Sequence, residues 1–136
     1  MRKLINVLTS LLMVFFLQSC ILEEGNPDLS GSWTCTETSE IFMKPLKGTS
    51  VYPVSFIRDV NDPDRYQIDN FYKLGSGVKV IVEVEGYSIS IPRQSVGGFE
   101  FEGGGSISGN YALIEIEYTA DDSGGEIDHV TATYAR

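Results

Sequence analysis

The feature that most constrains this chain is an alternation of apolar and polar residues with a period of two. From Ser30 onward, short segments rich in β-branched and aromatic residues alternate with clusters of Gly, Asn, Asp, Pro or Ser. The pattern predicts an all-β domain, a small antiparallel meander of about eight strands that forms a closed or nearly closed barrel. A β-sandwich is the alternative. The eight segments are SWTCTET, VYPVSFIRD, RYQIDNF, VKVIVEVE, YSISIP, FEFE, YALIEIEYTA and DHVTATYA, with residues 40–50 predicted as a loop that crosses one end.

Two predicted hairpins allow the strand register to be tested. A two-residue turn at residues 109–110 would place Phe101 opposite Tyr118 on the inner face and Glu102 opposite Glu117 outside. The preceding hairpin can turn at residues 85–86 or 86–87, and both choices keep the same residues inside. The faces of these strands are therefore predicted independently of the turn.

Glycines in the first of these hairpins bear on barrel closure. Gly103 and Gly105 are predicted on the inner face, opposite Ile116 and Ile114, where a missing side chain lets a strand bend at a barrel corner. A phosphate-binding loop would need a helix N-terminus to follow the glycines, and none is predicted there.

The N-terminus predicts export and lipidation. Residues 1–19 have a basic head and an apolar run of about 14 residues, which fits a signal peptide and is too short to span a membrane. Leu17 and Ser19 before Cys20 resemble the lipobox of lipoprotein signal peptidase. That resemblance implies that Cys20 becomes the mature N-terminus and carries a diacylglyceryl group with further acylation such as palmitate. Residues 20–29 then form a flexible tether and residues 30–136 the single β-barrel domain.

The resemblance also implies a location in the cell envelope, as an outer-membrane lipoprotein. Glu23 and Glu24 resemble the surface-export signal of Bacteroidota-type lipoproteins, and an acidic linker without that role is the alternative. Removal of residues 1–19 leaves 136 − 19 = 117 residues and changes the net charge from 10 − 19 = −9 to 8 − 19 = −11. So acidic a chain is not expected to bind nucleic acid, and only its lipid would hold it to an anionic membrane.

Catalysis and cofactors are not predicted. Cys35 has no disulfide partner once Cys20 is lipidated, and the alternation places it inside with Trp33. His129, the only histidine, is predicted to face outward, so a thiolate–imidazole pair cannot form.

Acidic side chains offer the weak candidates for a metal site. Asp59, Asn61, Asp62 and Asp64 are closely spaced oxygen donors of the kind that calcium prefers. Pro63 and Asp64 replace the ligand and glycine of a calcium loop, so an ordinary turn is the favoured interpretation. Glutamates that alternate along three strands are predicted to form a solvated outer face, with a divalent cation or a basic partner as alternatives.

The two ends of the domain resemble lipocalins and related calycin barrels. LSGSW, residues 29–33, is similar to the G-x-W motif that opens the first strand of those proteins. The resemblance implies that Trp33 plugs the closed end and that Arg136, at the end of the last strand, stacks over it. The chain is similar to compact lipocalin-like bacterial lipoproteins, because it is short and has no C-terminal helical segment.

Two functions are therefore predicted. In the first, the barrel binds a small apolar or amphipathic ligand, and inward aromatic residues line the pocket. In the second, those residues fill the core, and the lipoprotein is a non-catalytic interaction or structural module with a protein partner. Lipocalin-like ends favour the first and the many large inward residues favour the second. The inward aromatic candidates are Phe56, Phe99, Phe101, Tyr118 and Tyr134.

Overall fold

Eight antiparallel strands form a closed barrel in the computed structural model, which describes residues 27–41 and 48–136. Each strand pairs with the next along the chain, and β1 pairs with β8 to complete the barrel. The predicted meander and closed barrel are confirmed, and the sandwich alternative is wrong. The strands are β1 (Gly31–Ser39), β2 (Thr49–Arg58), β3 (Arg65–Asp69), β4 (Lys79–Glu85), β5 (Ser88–Val96), β6 (Phe99–Ile107), β7 (Leu113–Asp121) and β8 (Asp128–Ala135).

The predictions for the N-terminus concern residues that lie outside this description. They include the signal segment 1–19, Cys20 and residues 21–26 of the tether. The loop predicted at 40–50 is described only at its two ends, because residues 42–47 also lie outside. Within the described residues, no helix is long and apolar enough to cross a membrane.

Alternating burial explains why the strands close around a single core. Along β7, Ile114, Ile116 and Tyr118 are buried, whereas Glu115 and Glu117 between them are exposed. β1, β4 and β8 alternate in the same way, whereas the alternation is interrupted in β6 and in the second half of β5. One row of side chains from each strand therefore enters the barrel, and the hydrophobic effect favours its closure.

The registers of the two hairpins differ in how well they were predicted. In the β4–β5 hairpin, Val84 pairs with Ile89 and Glu85 with Ser88, which corresponds to the turn at residues 86–87. In the β6–β7 hairpin, the predicted register is wrong by two residues. Phe101 lies opposite Ala120 and not Tyr118, and Glu102 lies opposite Thr119 and not Glu117. The predicted like-charge pair does not form, but the faces are correct because a shift of two preserves them.

Side-chain hydrogen bonds explain the wider β6–β7 turn. The Ser108 hydroxyl donates to Asn110 Oδ1 at 2.7 Å and accepts from the Leu113 amide at 3.1 Å. Asn110 Oδ1 also accepts from the Ala112 amide, and Tyr111 adopts a positive φ of 56°. These local bonds stabilise a longer loop than a two-residue turn.

The glycines of β6 lie where neighbouring strands approach closely. Gly105 pairs with Ile116 and Gly103 with Tyr118, two positions from the predicted partners. A Cβ atom would lie 1.8 Å from the Glu115 carbonyl oxygen at Gly105, and 2.3 Å from that of Glu117 at Gly103. No L side chain fits at either position without a shift of the backbone, so this corner of the barrel requires glycine.

The barrel has two different ends. We call the end that contains Trp33 the closed end, and the opposite end, toward which β1, β3, β5 and β7 run, the mouth. Near the mouth the β4–β5 ladder stops, and the Gln94 side chain bonds instead to both the amide and the carbonyl of Ile81 at 2.8 Å. The Gln94 side-chain amide thus replaces backbone hydrogen bonds between β4 and β5 at this point.

Candidate functional site

Trp33 and Arg136 form the closed end as the family resemblance implied. Trp33 is buried, and its indole N–H donates to the Leu29 carbonyl at 2.8 Å. The Arg136 guanidinium lies 4.4 Å from the centre of a Trp33 ring and also bonds to the Asp28 and Ser30 carbonyls. This cation–π contact joins the last strand to the first and covers the indole.

Aromatic rings fill the barrel from the closed end toward the mouth. Trp33 packs on Phe56 at a centroid distance of 5.4 Å, and Phe56 packs edge-on against Tyr134 at 5.6 Å. Phe101 and Tyr118 form a second group at 6.0 Å in the half nearer the mouth. The predicted inward aromatics all belong to one core or pack against it, with Phe99 only partly buried, and their ring contacts fall into two groups.

A short loop between β3 and β4 closes the mouth. Its single 3-10 turn, Phe71–Lys73, carries Phe71 and Tyr72, which are both fully buried. The Phe71 ring lies 4.7 Å from Tyr118 and 5.1 Å from Phe101, and the Tyr72 ring lies 5.2 Å from Phe99. We call these two side chains the plug.

The loop that carries the plug has a strained backbone. Asn70, Tyr72 and Lys73 have positive φ values of 63°, 53° and 55°, a conformation that costs non-glycine residues free energy. Side chains at the base of the loop compensate, since Asn70 bonds to the Pro53 carbonyl at 2.8 Å and accepts from the Gly75 amide at 2.9 Å. The loop is therefore held at its base, while the plug depends on the contacts it makes inside.

Asp128 fastens the plug from the opposite side of the mouth. Its fully buried carboxylate accepts from the Tyr72 hydroxyl at 2.5 Å and from the Ser39 hydroxyl at 2.6 Å. The Glu40 and Ile41 amides donate to its other oxygen. Burial and the bond to Asp128 raise the pKa of Tyr72, so the phenol remains a donor.

Glu37 lies deeper in the barrel and is only partly satisfied. Its carboxylate is fully buried, and Oε1 accepts from the Tyr118 hydroxyl at 2.8 Å. Oε2 has no hydrogen-bond partner within the described residues, nor do the hydroxyls of Tyr52 and Tyr134. Buried polar atoms left in this state cost free energy.

Burial governs the protonation of Glu37. Desolvation raises the pKa of its carboxyl, and the charge of Asp128 acts in the same direction. The Tyr118 and Tyr52 hydroxyls oppose this by favouring the ionised form, although Tyr52 does not reach hydrogen-bond geometry. Burial therefore favours the protonated carboxyl group, whereas the neighbouring hydroxyls favour the ionised one.

Sequence reasoning missed four residues of this site: Glu37, Asp128, Phe71 and Tyr72. The signal for the acidic pair was present, because Glu37 alternates in phase with Trp33 and Cys35, and Asp128 with Val130 and Tyr134. The predicted segment RYQIDNF ends at Phe71, but the period of two that buries Tyr66 and Ile68 would place Phe71 on the outer face, and Tyr72 lies beyond the segment.

The weak metal candidates form an ordinary turn. Asp59 Oδ1 accepts from the Asn61 amide at 2.9 Å, and Asp62 Oδ1 accepts from the Asp64 amide at 3.0 Å. Such bonds to the backbone are typical of Asp and Asn in turns. In the part of the chain that the structure describes, no group of three or more His, Cys, Asp or Glu side chains is arranged to hold a metal ion.

Cys35 and His129 lie on opposite faces, as predicted. Cys35 is fully buried, and desolvation together with the Glu37 charge raises the pKa of its thiol far above its ordinary value. His129 is exposed on β8 beside an outer groove of about 420 Å³ that Glu102 and Glu117 also line. The thiol and the imidazole therefore cannot act together.

Comparison with protein-family models gives no match, and comparison with curated proteins gives no significant match.

Proposed function

We propose that this chain is a membrane-tethered lipoprotein whose lipocalin-like barrel binds a small apolar or amphipathic ligand behind the plug. The proposal rests on one observation: buried polar atoms without hydrogen-bond partners lie beneath a loop whose backbone is strained. Glu37 Oε2 and the Tyr52 hydroxyl lack partners among the described residues, and the plug above them rests on a backbone with three positive φ values.

The proposed binding step is displacement of the plug. Release of the Tyr72 hydroxyl from Asp128 would let Phe71 and Tyr72 move out while Asn70 keeps the base of the loop attached. The ligand would take the place of the two rings against Phe101 and Tyr118. Relief of backbone strain offsets part of the cost of opening, as expected where a loop serves as a gate.

The tether belongs to the same proposal. Lipid on Cys20 would hold the barrel at a membrane of the cell envelope, because two or three acyl chains give a stable anchor. In this arrangement the protein would collect ligand close to the membrane surface. The basis for this step is the sequence pattern around Cys20.

A second candidate is an interaction lipoprotein with a filled core. It is favoured by the dense packing of interior aromatics and by grooves on the outer surface, one of about 530 Å³ lined in part by Asp62, Glu83 and Glu85. In that case the acidic outer face would contact a protein partner, and the plug would be permanent.

Native mass spectrometry of the lipidated protein, purified from its source membrane in a nonionic detergent, tests the proposal. We expect a reproducible extra mass that disappears on denaturation. Tyr72→Phe, which loses the bond to Asp128, should release this mass faster, whereas Tyr87→Phe on the exposed surface should not. A bare protein mass for all three proteins would overturn ligand binding and favour the filled core.

A further inference from the structure

We propose that the interior site selects an organic cation, a protonated amine on a small apolar body, with its ammonium group against Glu37. This inference rests on the proposed function, because it names the ligand class for the same site.

The barrel interior contains acidic side chains without basic partners among the described residues. Glu37 and Asp128 are fully buried, whereas no Lys, Arg or His side chain of the described residues is buried with them. Neither carboxylate forms an ion pair with a described residue. Burial without a cationic partner favours the neutral form of a carboxyl group, and a ligand that brings a positive charge would stabilise the ionised form.

The two carboxylates have different roles. Asp128 has four donors, from Ser39, Tyr72 and two backbone amides, so it is already satisfied and serves to hold the plug. Glu37 has one donor within hydrogen-bond distance among the described residues, Tyr118, and its Oε2 has none. Glu37 is therefore the acceptor available to an ammonium group.

Aromatic rings around this position favour the same ligand class. Tyr118, whose hydroxyl bonds to Glu37, and Phe101 lie 6.0 Å apart between ring centres, and both stay in place when the plug is displaced. Ring faces attract ammonium groups, and the attraction is stronger where water is excluded. The rings also suit the apolar body of an amphipathic amine, while an anionic ligand would be repelled by both carboxylates.

Three probes of similar size and different charge test the inference: phenethylammonium, 2-phenylethanol and 3-phenylpropionate. Isothermal titration of the full-length chain in a nonionic detergent should give an affinity for the ammonium probe at least about tenfold above that for the other two, as expected for a hydrogen bond to a charged group. Glu37→Gln, which preserves the shape, should abolish this preference. Glu102→Gln, on the outer groove, should leave it unchanged.

The outcomes separate this inference from the proposed function. Equal affinities for the three probes, no binding of the ammonium probe, or a preference that survives in Glu37→Gln would each overturn the cation site. The comparison on the wild-type chain needs no variant, so it decides even if Glu37→Gln fails to fold. A retained mass in native spectra that proves to be a neutral or anionic molecule would overturn the cation inference and leave ligand binding standing. A bare mass would remove both.

Discussion

Glu37 is the residue at which burial and charge oppose each other most directly. A leucine or methionine there would continue the alternation of β1 and would avoid the cost of burying a carboxylate. Its charged form instead gains one bond from Tyr118 and leaves Oε2 open. Such local disagreement with the packing rules is most often found at functional sites.

The pH dependence of stability should reveal this residue. Burial raises the pKa of Glu37 above its ordinary value of 4.5, so folding favours the protonated form. Its contribution to stability is full below pH 4.5 and is lost as the pH rises through the raised pKa. In Glu37→Gln this loss is absent, so its melting temperature relative to wild type should increase with pH across that range.

Thermal denaturation at a series of pH values, followed by circular dichroism, measures the effect. The groups that interact with Glu37 are Asp128, Tyr52, Tyr118 and Cys35, and all remain in the variant. Glu115→Gln, on the exposed face of β7, is the control and should run parallel to wild type. If the melting temperature of Glu37→Gln changed with pH in parallel with that of wild type, the raised pKa of Glu37 would be contradicted.

Trp33 is the second residue with a large expected effect. Trp33→Ala removes the indole that Arg136 covers and that packs on Phe56, so it should lower the free energy of unfolding by about 3 to 5 kcal/mol. Denaturant titration checks this, with the exposed Val51→Ala as control. A loss below about 1 kcal/mol would show that Trp33 does not support the closed end.

At the scale of elements, alternation was sufficient to predict the strands and their faces. Each of the eight segments coincides at least in part with one strand, because a period of two is present in each, although β3 ends two residues before RYQIDNF and β6 continues beyond FEFE. The β6–β7 register could not be predicted from the sequence, because side-chain hydrogen bonds of Ser108 and Asn110 determine the length of the loop and a turn motif does not reveal them. The plug was missed for a related reason: Tyr72 is inside through its bond to Asp128, 56 positions away in the sequence.

The β6 corner provides a test at this scale. Gly105→Ala would place a methyl group against the Glu115 carbonyl and the Ile116 backbone, so we expect a loss of about 1 to 3 kcal/mol through overpacking. Gly109→Ala is a matched control in the adjacent loop, where a Cβ meets nothing within 4 Å. Equal unfolding free energies for the two variants, measured in urea, would contradict the close approach.

At the scale of the whole molecule, the sequence predicts a barrel fixed to a membrane. Cys20→Ala removes the acylated sulfur, so the protein should become soluble after cell fractionation or remain as uncleaved precursor. Metabolic labelling with a fatty acid measures this. Cys35→Ala is the control, because Cys35 is buried in the barrel, and it should retain the label. Processed, lipid-labelled Cys20→Ala protein would disprove the lipobox.

The central claim is that the plug opens while the barrel stays folded, and Cys35 can report this directly. Its buried thiol can react with a small reagent such as methyl methanethiosulfonate only when the interior is exposed. The measurement is the rate of this labelling at low urea concentrations. It compares two proteins that both carry Cys20→Ala: one with Tyr72 unchanged and one with Tyr72→Ala. We expect a rate nearly independent of urea, indicating local opening, and faster labelling in Tyr72→Ala. A rate that follows global unfolding in both proteins, with the variant differing only through its stability, would contradict the account and leave a permanently filled barrel.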